Sequence, residues 1–280
     1  MKKKIFVIVQ CVLLIMIIMS TTIIEATGFL TTYDEENVFK LLLGQSDTDA
    51  RFNLKDIIPE NINVRNQGRA NNCWDFAAIG ALETTLALKR KKQSAGLKVF
   101  DFSEAHVKYG SRYSMFLNGE KNAKGFNAVR SDGGNFMDAI NYMTNGFGPV
   151  DEKWLKYNPN EPDIDLNSIE SITQASTVMD TVNLSVEDTS DENAINDAIS
   201  KIKTHIKNYG GVYFALNYRV GDQYTNKVNM ARYCDVPLQN NESASHVVVL
   251  IGWDDNYSAS NFKKNPGKNG AWIFKNSYGD

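Results

Sequence analysis

A polar loop passes directly into a helix in the stretch VRNQGRANNCWDFAAIGALE, residues 64–83, and Cys73 stands at the boundary. Apolar residues then recur at helical spacing as far as Leu88, which predicts a helix over 73–88. A helix N-terminus carries partial positive charge and N–H groups without helical partners, and both favour a thiolate. The alternative is a small core cysteine with no chemical role.

Three polar residues elsewhere have the chemistry to complete a thiol site. Gln67 lies six residues upstream on the loop, His246 begins an apolar strand, and Asn276 ends another. A thiolate nucleophile needs a base, the base needs an orienting group, and the oxyanion that forms needs hydrogen-bond donors. We therefore expect His246 to be the base and Asn276 to hold its ring. The Gln67 side chain and the Cys73 N–H would be the donors.

The composition is that of a globular protein and excludes some partners. The chain has 280 residues, of which 42% are hydrophobic, and its formal net charge is -3. This length allows one large domain or two lobes. A chain without net positive charge lacks the basic field that attracts nucleic acid, so no nucleic-acid partner is expected.

The N-terminus has the pattern of an export signal. MKKK is a positively charged start, IFVIVQCVLLIMIIM is an apolar core, and Ala26 offers a small residue for cleavage. The alternative is an uncleaved anchor, because the apolar residues 5–24 are about long enough to span a bilayer. Residues 1–26 are therefore predicted to be a signal peptide or membrane anchor, and residues 27–52 a short pro-segment or linker. The protein is expected to be secreted or held at the cell surface.

The cysteines allow one disulfide in the exported chain. Cys11 lies in the predicted signal, which leaves Cys73 and Cys234. The sequence alone leaves open whether those two are paired. With so few cysteines no multi-disulfide framework is available, so the fold has to be stabilised by its own core.

Helical patterns come first along the chain and strand patterns follow. Ser103 and Asp191 stand where two helices would be capped, and the segment 161–200 is acidic and is expected to begin as an irregular connection. Strand patterns then appear in VYFALNY, SHVVVLIGW and GAWIFKNS. Helices followed by strands predict an α+β protein with two unlike halves.

Taken together, these motifs resemble those of papain-like cysteine peptidases. QGRANNCWDFA is similar to the active-site segment of that family, SHVVVLIGWDD to its histidine strand, and WIFKNSYG to its Lys-Asn-Ser-Trp-Gly motif. FSEAH is similar to the family's Leu-Ser-Glu-Gln helix entry, and GGNFMDAI to its Gly-Gly stretch. The matches follow the family's order from about residue 53 to residue 280, so residues 53–280 are expected to form the peptidase domain.

The resemblance implies a fold and a set of roles. The fold would be a helical N-terminal lobe and an antiparallel β-barrel-like C-terminal lobe, with the active site in the cleft between them. The implied catalytic residues are Cys73, His246, Asn276 and Gln67. The implied substrate-binding residues are Gly133, Gly134 and Trp74. In papain the paired thiol has a pKa of roughly 3–4, so the resemblance also implies a resting ion pair between thiolate and imidazolium.

Several positions depart from the family pattern. Ala70 and Ser131 stand where the family usually has two bridged cysteines, so both partners of that disulfide are absent together. Tyr278 replaces the tryptophan that normally shields the histidine. The family would continue beyond Asp280 with a closing strand, so the sequence is expected to be truncated there.

The predicted function is hydrolysis of peptide bonds by an exported cysteine endopeptidase. Its partners would be peptide or protein substrates, it would need no cofactor or metal, and it is expected to be a monomer. Membrane contact is expected only through residues 5–24, if the signal is not cleaved. The alternatives are a thiol acyl transferase such as a transpeptidase, and a non-catalytic surface or adhesion module on the same fold.

Overall fold

The helices occupy the first half of the fold and one later segment. The computed structural model describes the ranges 6–8, 26–30, 49–96, 98–111, 133–144, 148–160, 172, 174–176, 178, 180–185, 191–236 and 244–279. Within these ranges there are four α-helices: α1 Cys73–Lys92, α2 Glu104–Gly110, α3 Phe136–Thr144 and α4 Glu192–Asn208.

Helix α1 is the central helix of the fold. Ile79 and Leu82 are fully buried on it, and alanines at positions 77, 78 and 81 let neighbouring elements pack closely against its backbone. The apolar pattern runs to Leu88, and the basic run over 89–92 closes the helix, which ends at Lys92. The four basic residues of its last turn face the negative end of the helix dipole, which stabilises this end of the helix.

Two helix caps predicted from the sequence are confirmed. The Ser103 side chain accepts a hydrogen bond from the backbone N–H of His106 at 3.0 Å, at the start of α2. The Asp191 side chain accepts one from the backbone N–H of Asn193 at 2.9 Å, at the start of α4. In both helices a short side chain replaces a missing intrahelical acceptor.

The strands form one open sheet. They are β1 Phe6–Ile8, β2 Ala26–Leu30, β3 Arg51–Asn53, β4 Asp180–Asn183, β5 Val212–Leu216, β6 Ala231–Arg232, β7 His246–Asp254 and β8 Ala271–Lys275. Their order is β4-β2-β5-β7-β8-β1-β6, and β3 pairs with β7 outside this path. All neighbours are antiparallel except β1 and β6, which are parallel. The α+β class and the two-lobe architecture are confirmed.

The register of β7 and β8 brings two distant residues together. Val249 of β7 lies opposite Lys275 of β8, and the strands are antiparallel. The chain after Lys275 therefore runs towards the start of β7, where His246 lies. Asn276 is thus placed beside His246, although 30 positions separate the two along the sequence.

Three strands lie in segments for which the sequence predicts no strand. β1 falls within the predicted signal and β2 begins at its last residue, while β4 lies in the acidic segment expected to be irregular. Most of residues 1–26 and the start of the acidic segment lie outside the described residues, and cleavage of the signal stays a prediction. None of the helices in the described ranges has the length and apolarity needed to cross a membrane.

Candidate active site

Cys73 is the first residue of α1, and its sulfur meets several backbone donors. The thiol is half-buried, and burial raises its pKa to about 11. The backbone N–H groups of Val247, Trp74 and Cys73 itself act in the opposite direction, and the Asp75 carboxyl raises the pKa further. Val247 directly follows His246, so the thiol lies at the start of β7.

The imidazole of His246 is held by Asn276. His246 Nε2 lies 2.8 Å from Asn276 Oδ1, and both side chains are buried. A carbonyl oxygen can only accept, so Nε2 carries the proton and the lone pair of the neutral ring is on Nδ1. Asn276 Oδ1 also accepts a hydrogen bond from the backbone N–H of Ser277 at 2.9 Å, which fixes the orientation of the amide.

The surroundings favour the neutral thiol of Cys73 and the neutral imidazole of His246. Burial lowers the pKa of His246, the hydrogen bond to Asn276 raises it, and the positive charge of Arg232 lowers it further. Burial thus opposes the resting ion pair that the sequence resemblance implies. If the proton of Cys73 passed to His246, the two opposite charges would form together and stabilise each other. The resting ion pair stays a prediction.

Aromatic rings enclose His246 on two sides. The Tyr278 ring stacks on the imidazole with centroids 5.2 Å apart and planes at 13°, which fills the position where the family has tryptophan. The Tyr218 ring lies 4.7 Å from the imidazole at 54°. Tyr278 is 42% exposed, so one side of the enclosure faces solvent. The sequence points to Tyr278 through its motif but gives no signal for Tyr218.

Gln67 is buried where its loop meets the segment after β8. Its Nε2 donates to the backbone carbonyl of Ala70 at 2.8 Å, and Ser277 Oγ donates to its Oε1 at 2.5 Å. Its backbone N–H donates to the Ser277 carbonyl at 2.8 Å. The loop that carries Gln67 is therefore joined by backbone and side chain to the residue next to Asn276.

Of the residues predicted to bind substrate, Gly134 and Trp74 pack against each other. A Cβ atom on Gly134 would lie 2.3 Å from Trp74 Cε2, whereas a Cβ on Gly133 would meet nothing within 4 Å. Trp74 is 1% exposed, so its indole supports Gly134 from beneath rather than facing solvent. Only a glycine fits position 134 without movement of the indole.

A buried ionic cluster that the sequence patterns do not predict joins α1, α2 and β8. Arg65 Nη2 is 2.5 Å from Glu83 Oε1, and Arg65 Nη1 is 3.0 Å from Glu104 Oε1. Lys275 Nζ is 3.8 Å from Glu83 Oε2. Asp75 is fully buried near this cluster, and burial raises the pKa of its carboxyl well above the usual range. These charges connect the helical half to the strand that leads to Asn276.

The remaining cysteine and histidines lie outside this arrangement. Cys73 and Cys234, both of which the structure describes, do not form a disulfide with each other. His106 is buried, with Nδ1 2.7 Å from the Tyr142 hydroxyl, and His205 is buried in α4. Ser131 and residues 1–5 lie outside the described residues.

Comparison with known proteins identifies the family. The sequence profile described as "Papain family cysteine protease" matches residues 48–280. The chain belongs to the papain family of cysteine proteases. No protein of curated function matches the sequence.

Two solved structures of papain-family proteins share the fold. One is the clostridial cysteine protease Cwp84 after propeptide cleavage, with 26% identity and a TM-score of 0.61 over 82% of this chain and 51% of that one. The other contains the cysteine protease and lectin-like domains of Cwp84 of Clostridium difficile, described as a surface layer associated protein. It matches with 22% identity and a TM-score of 0.60 over 93% of this chain and 56% of that one. The chain therefore spans about half the length of these structures.

Proposed function

We propose that this papain-family chain is an exported cysteine endopeptidase that hydrolyses peptide bonds through an acyl-enzyme. The observation that carries the proposal is the 2.8 Å contact between His246 Nε2 and Asn276 Oδ1, made where the Cys73 thiol reaches the start of β7. This contact leaves the Nδ1 lone pair for the thiol proton. A histidine that only filled space in the core would have no need of such a fixed tautomer.

In the first half of the reaction the thiol becomes an acyl thioester. The proton of Cys73 Sγ passes to His246 Nδ1, and the thiolate attacks the carbonyl carbon of the peptide bond. The negative charge that develops on the carbonyl oxygen accepts hydrogen bonds from the Cys73 backbone N–H and from Gln67 Nε2, which has a second N–H besides the one bound to Ala70. The imidazolium then returns its proton to the departing amine, and the C–N bond breaks.

In the second half water replaces the amine. The neutral imidazole of His246 takes a proton from water, the hydroxide oxygen attacks the thioester carbon, and the thiolate leaves. Asn276 holds the ring in the same orientation throughout, because its carbonyl oxygen accepts from Nε2 in both protonation states. The peptide acid is released and Cys73 recovers its proton.

Export is supported by the residues before the peptidase domain. The basic start, the apolar stretch over 5–24 and Ala26 follow the pattern of a signal. The Cwp84 structure is described as a surface layer associated protein, which agrees with a location outside the cell for this chain as well. The substrates would then be peptides or proteins in that location.

Selective thiol labelling tests the proposal. The full chain is treated with a limiting amount of an epoxysuccinyl peptide at pH 5.5, and mass spectrometry compares Cys73 with Cys234. An ordinary thiol with a pKa of roughly 8.5 is only about 0.1% ionised at this pH. If His246 accepts the thiol proton as proposed, it supplies a thiolate that burial alone disfavours, so we expect rapid modification of Cys73 alone and its loss in His246→Ala. Equal and slow labelling of both cysteines would contradict an assembled site.

Substrate assays separate hydrolysis from its alternatives. If Cys73 is labelled selectively and an added amine captures the acyl group in place of water, the chain is an acyl transferase. If the full chain binds a cell surface and cleaves no peptide in a mixed library, the adhesion alternative is favoured. Hydrolysis that an added amine does not alter supports the endopeptidase.

A further inference from the structure

A line of hydrogen bonds crosses from α2 to the loop that precedes the nucleophile. Lys108 Nζ donates to Asn72 Oδ1 at 2.7 Å, and Asn72 Nδ2 donates to the Tyr157 hydroxyl at 3.3 Å. The Tyr157 hydroxyl in turn donates to the backbone carbonyl of Gln67 at 2.8 Å. The three side chains thus connect the two ends of the loop over residues 67–72.

The first two members of the line are almost completely buried. Lys108 is 2% exposed and Asn72 is 1% exposed. A buried ammonium is costly unless it is hydrogen-bonded, and Lys108 has Asn72 Oδ1 as an acceptor. The charge of Lys108 also acts on the Asp75 carboxyl, where it opposes the rise in pKa that burial causes. Asn72 occupies the N-cap position of α1, yet its side chain makes no capping hydrogen bond. Its amide binds Lys108 and Tyr157 instead of the helix.

Packing holds the Tyr157 ring in place. The ring meets Phe76 of α1 edge to face, with centroids 4.8 Å apart, and the Tyr157 backbone N–H donates to Glu152 Oε1 at 2.7 Å. Nearby, Gly68 has φ 64°, and a Cβ atom there would lie 2.4 Å from Pro159 Cβ. The segment around Tyr157 therefore covers the loop closely, and the hydroxyl has little freedom to leave the Gln67 carbonyl.

Both proposed oxyanion donors are attached to this line. The Tyr157 hydroxyl fixes the main chain of Gln67, whose side-chain N–H is one donor. Asn72 directly precedes Cys73 in the chain, and the Cys73 backbone N–H is the other donor. Neither contact touches the sulfur or His246. The line can therefore affect the oxyanion separately from the activation of the thiol.

We propose that Lys108, Asn72 and Tyr157 are positioning residues that set the geometry of the two oxyanion donors, Gln67 and the Cys73 N–H. The inference rests on the proposed function, because the donors matter only if Cys73 attacks a carbonyl. Hydrogen bonds to a developing oxyanion lose their value when the donors are displaced by a fraction of an ångström. The line holds the backbone carbonyl of Gln67, whereas Ser277 binds its backbone N–H and its side-chain oxygen.

Two reactions of Cys73 distinguish this role from a general structural one. Alkylation by iodoacetamide is a displacement at carbon in which no oxyanion forms, so it depends on the thiol and His246 alone. Reversible addition of a peptide aldehyde joins Sγ to the carbonyl carbon and places the aldehyde oxygen among the donors. The ratio of aldehyde affinity to alkylation rate therefore reports on the oxyanion donors, and it needs no turnover of substrate.

The test variant is Tyr157→Phe, which removes the hydrogen bonds of the hydroxyl to Asn72 and Gln67 and keeps the ring against Phe76. Tyr257→Phe is the matched control, because Tyr257 follows the far end of β7. We expect Tyr157→Phe to bind a peptide aldehyde about 5–20-fold more weakly and to lose a similar factor in kcat, a fraction of the loss for a deleted donor. Its alkylation rate should change by less than about twofold, and Tyr257→Phe should match the wild type in both assays.

A second variant checks that the contacts act as one unit. Asn72→Ser replaces the amide that both neighbours bind with a hydroxyl on a shorter side chain. The double variant with Tyr157→Phe should lose little more aldehyde affinity than the worse single variant. Fully additive losses, unchanged aldehyde binding in Tyr157→Phe, or equal losses in alkylation and aldehyde binding would overturn the inference. A wild-type chain that binds the aldehyde but cleaves no peptide would overturn the endopeptidase proposal and leave this ratio measurable. A wild type that neither binds the aldehyde nor cleaves peptides would overturn both.

Discussion

The guanidinium of Arg232 lies over the ring of Tyr218, with 3.8 Å from its central carbon to the ring centroid. Tyr218 in turn contacts the imidazole of His246. Arg232 is 5% exposed, and its Nη1 donates to Thr225 Oγ1 at 2.8 Å. A buried positive charge therefore lies one ring away from the proposed catalytic base and disfavours protonation of that base.

Removal of this charge should raise the pKa of His246. Burial lowers that pKa first and the Arg232 charge lowers it further, so Arg232→Gln moves it upwards. NMR titration of the His246 ring protons in a Cys73→Ala background measures the pKa without interference from the thiol. Arg232→Lys keeps the charge and should stay near the unmodified value. A pKa that is the same in the Gln and Lys variants would show that the charge does not reach the ring.

Asn276→Ala should lower kcat much more than it changes KM. The substitution removes the acceptor that holds His246 Nε2–H, so the ring loses its fixed tautomer and orientation. We expect kcat to fall by about 10–100-fold, which is part of the about 10²–10⁴-fold that a positioned general base contributes. Steady-state kinetics on a peptide substrate measures the effect. A change confined to KM would assign Asn276 to substrate binding instead.

The neighbouring glycines should respond differently to the same substitution. Gly134→Ala forces a methyl group to 2.3 Å from Trp74 Cε2, so the indole must move, at a cost of about 1–3 kcal/mol in the free energy of unfolding. Gly133→Ala places its methyl where no atom lies within 4 Å and should cost less than about 0.5 kcal/mol. Urea unfolding of both variants gives the comparison. Equal losses would mean that Trp74 does not pack against Gly134 as described.

His205 should make the fold sensitive to acid. Its ring is buried in α4 with no hydrogen-bond partner among the described residues, and burial lowers its pKa from 6.5 to about 3. Between pH 6.5 and 3 His205 is therefore protonated in the unfolded chain and neutral in the folded chain. Its contribution to the free energy of unfolding falls as the pH is lowered through this range.

A hydrophobic substitution should remove this contribution. The gain in unfolding free energy of His205→Leu over the wild type should be larger at pH 4.5 than at pH 7.5. Urea titrations at the two pH values measure it. Asp56→Asn is the control for a change of charge at the surface, because Asp56 forms an exposed ion pair with Arg51 and its side chain is 58% exposed. A gain that is independent of pH would assign the effect to packing alone.

Local signals account for the parts of the fold that the sequence predicted. The cap at Ser103, the cap at Asp191 and the start of α1 at Cys73 depend on residues within a few positions of each other. Strands β5, β7 and β8 have apolar runs long enough to recognise. The family motifs then predicted how these helices and strands are arranged in the fold. Hydrophobic periodicity alone predicts the elements but not their arrangement.

Contacts between distant segments account for what the sequence did not predict. Tyr218 and Arg232 reach His246 because β5 pairs with β7 in a particular register and the chain folds back through β6. Lys108 and Tyr157 both form hydrogen bonds with Asn72, although they lie far apart in the sequence. Neither residue stands in a motif, and a single lysine or tyrosine has no pattern that reveals its partner.

The hydrogen bonds between Gln67 and Ser277 also bear on the timing of activity during synthesis. A chain leaving the ribosome exposes the thiol of Cys73 long before the imidazole of His246 and the amide of Asn276. Until Ser277 has emerged, Gln67 lacks its two hydrogen bonds to that residue, and His246 has only just gained Asn276 as its orienting group. The nascent chain is therefore expected to be inert towards its neighbours in the cell until the segment that carries Asn276 and Ser277 has emerged and folded against the Gln67 loop.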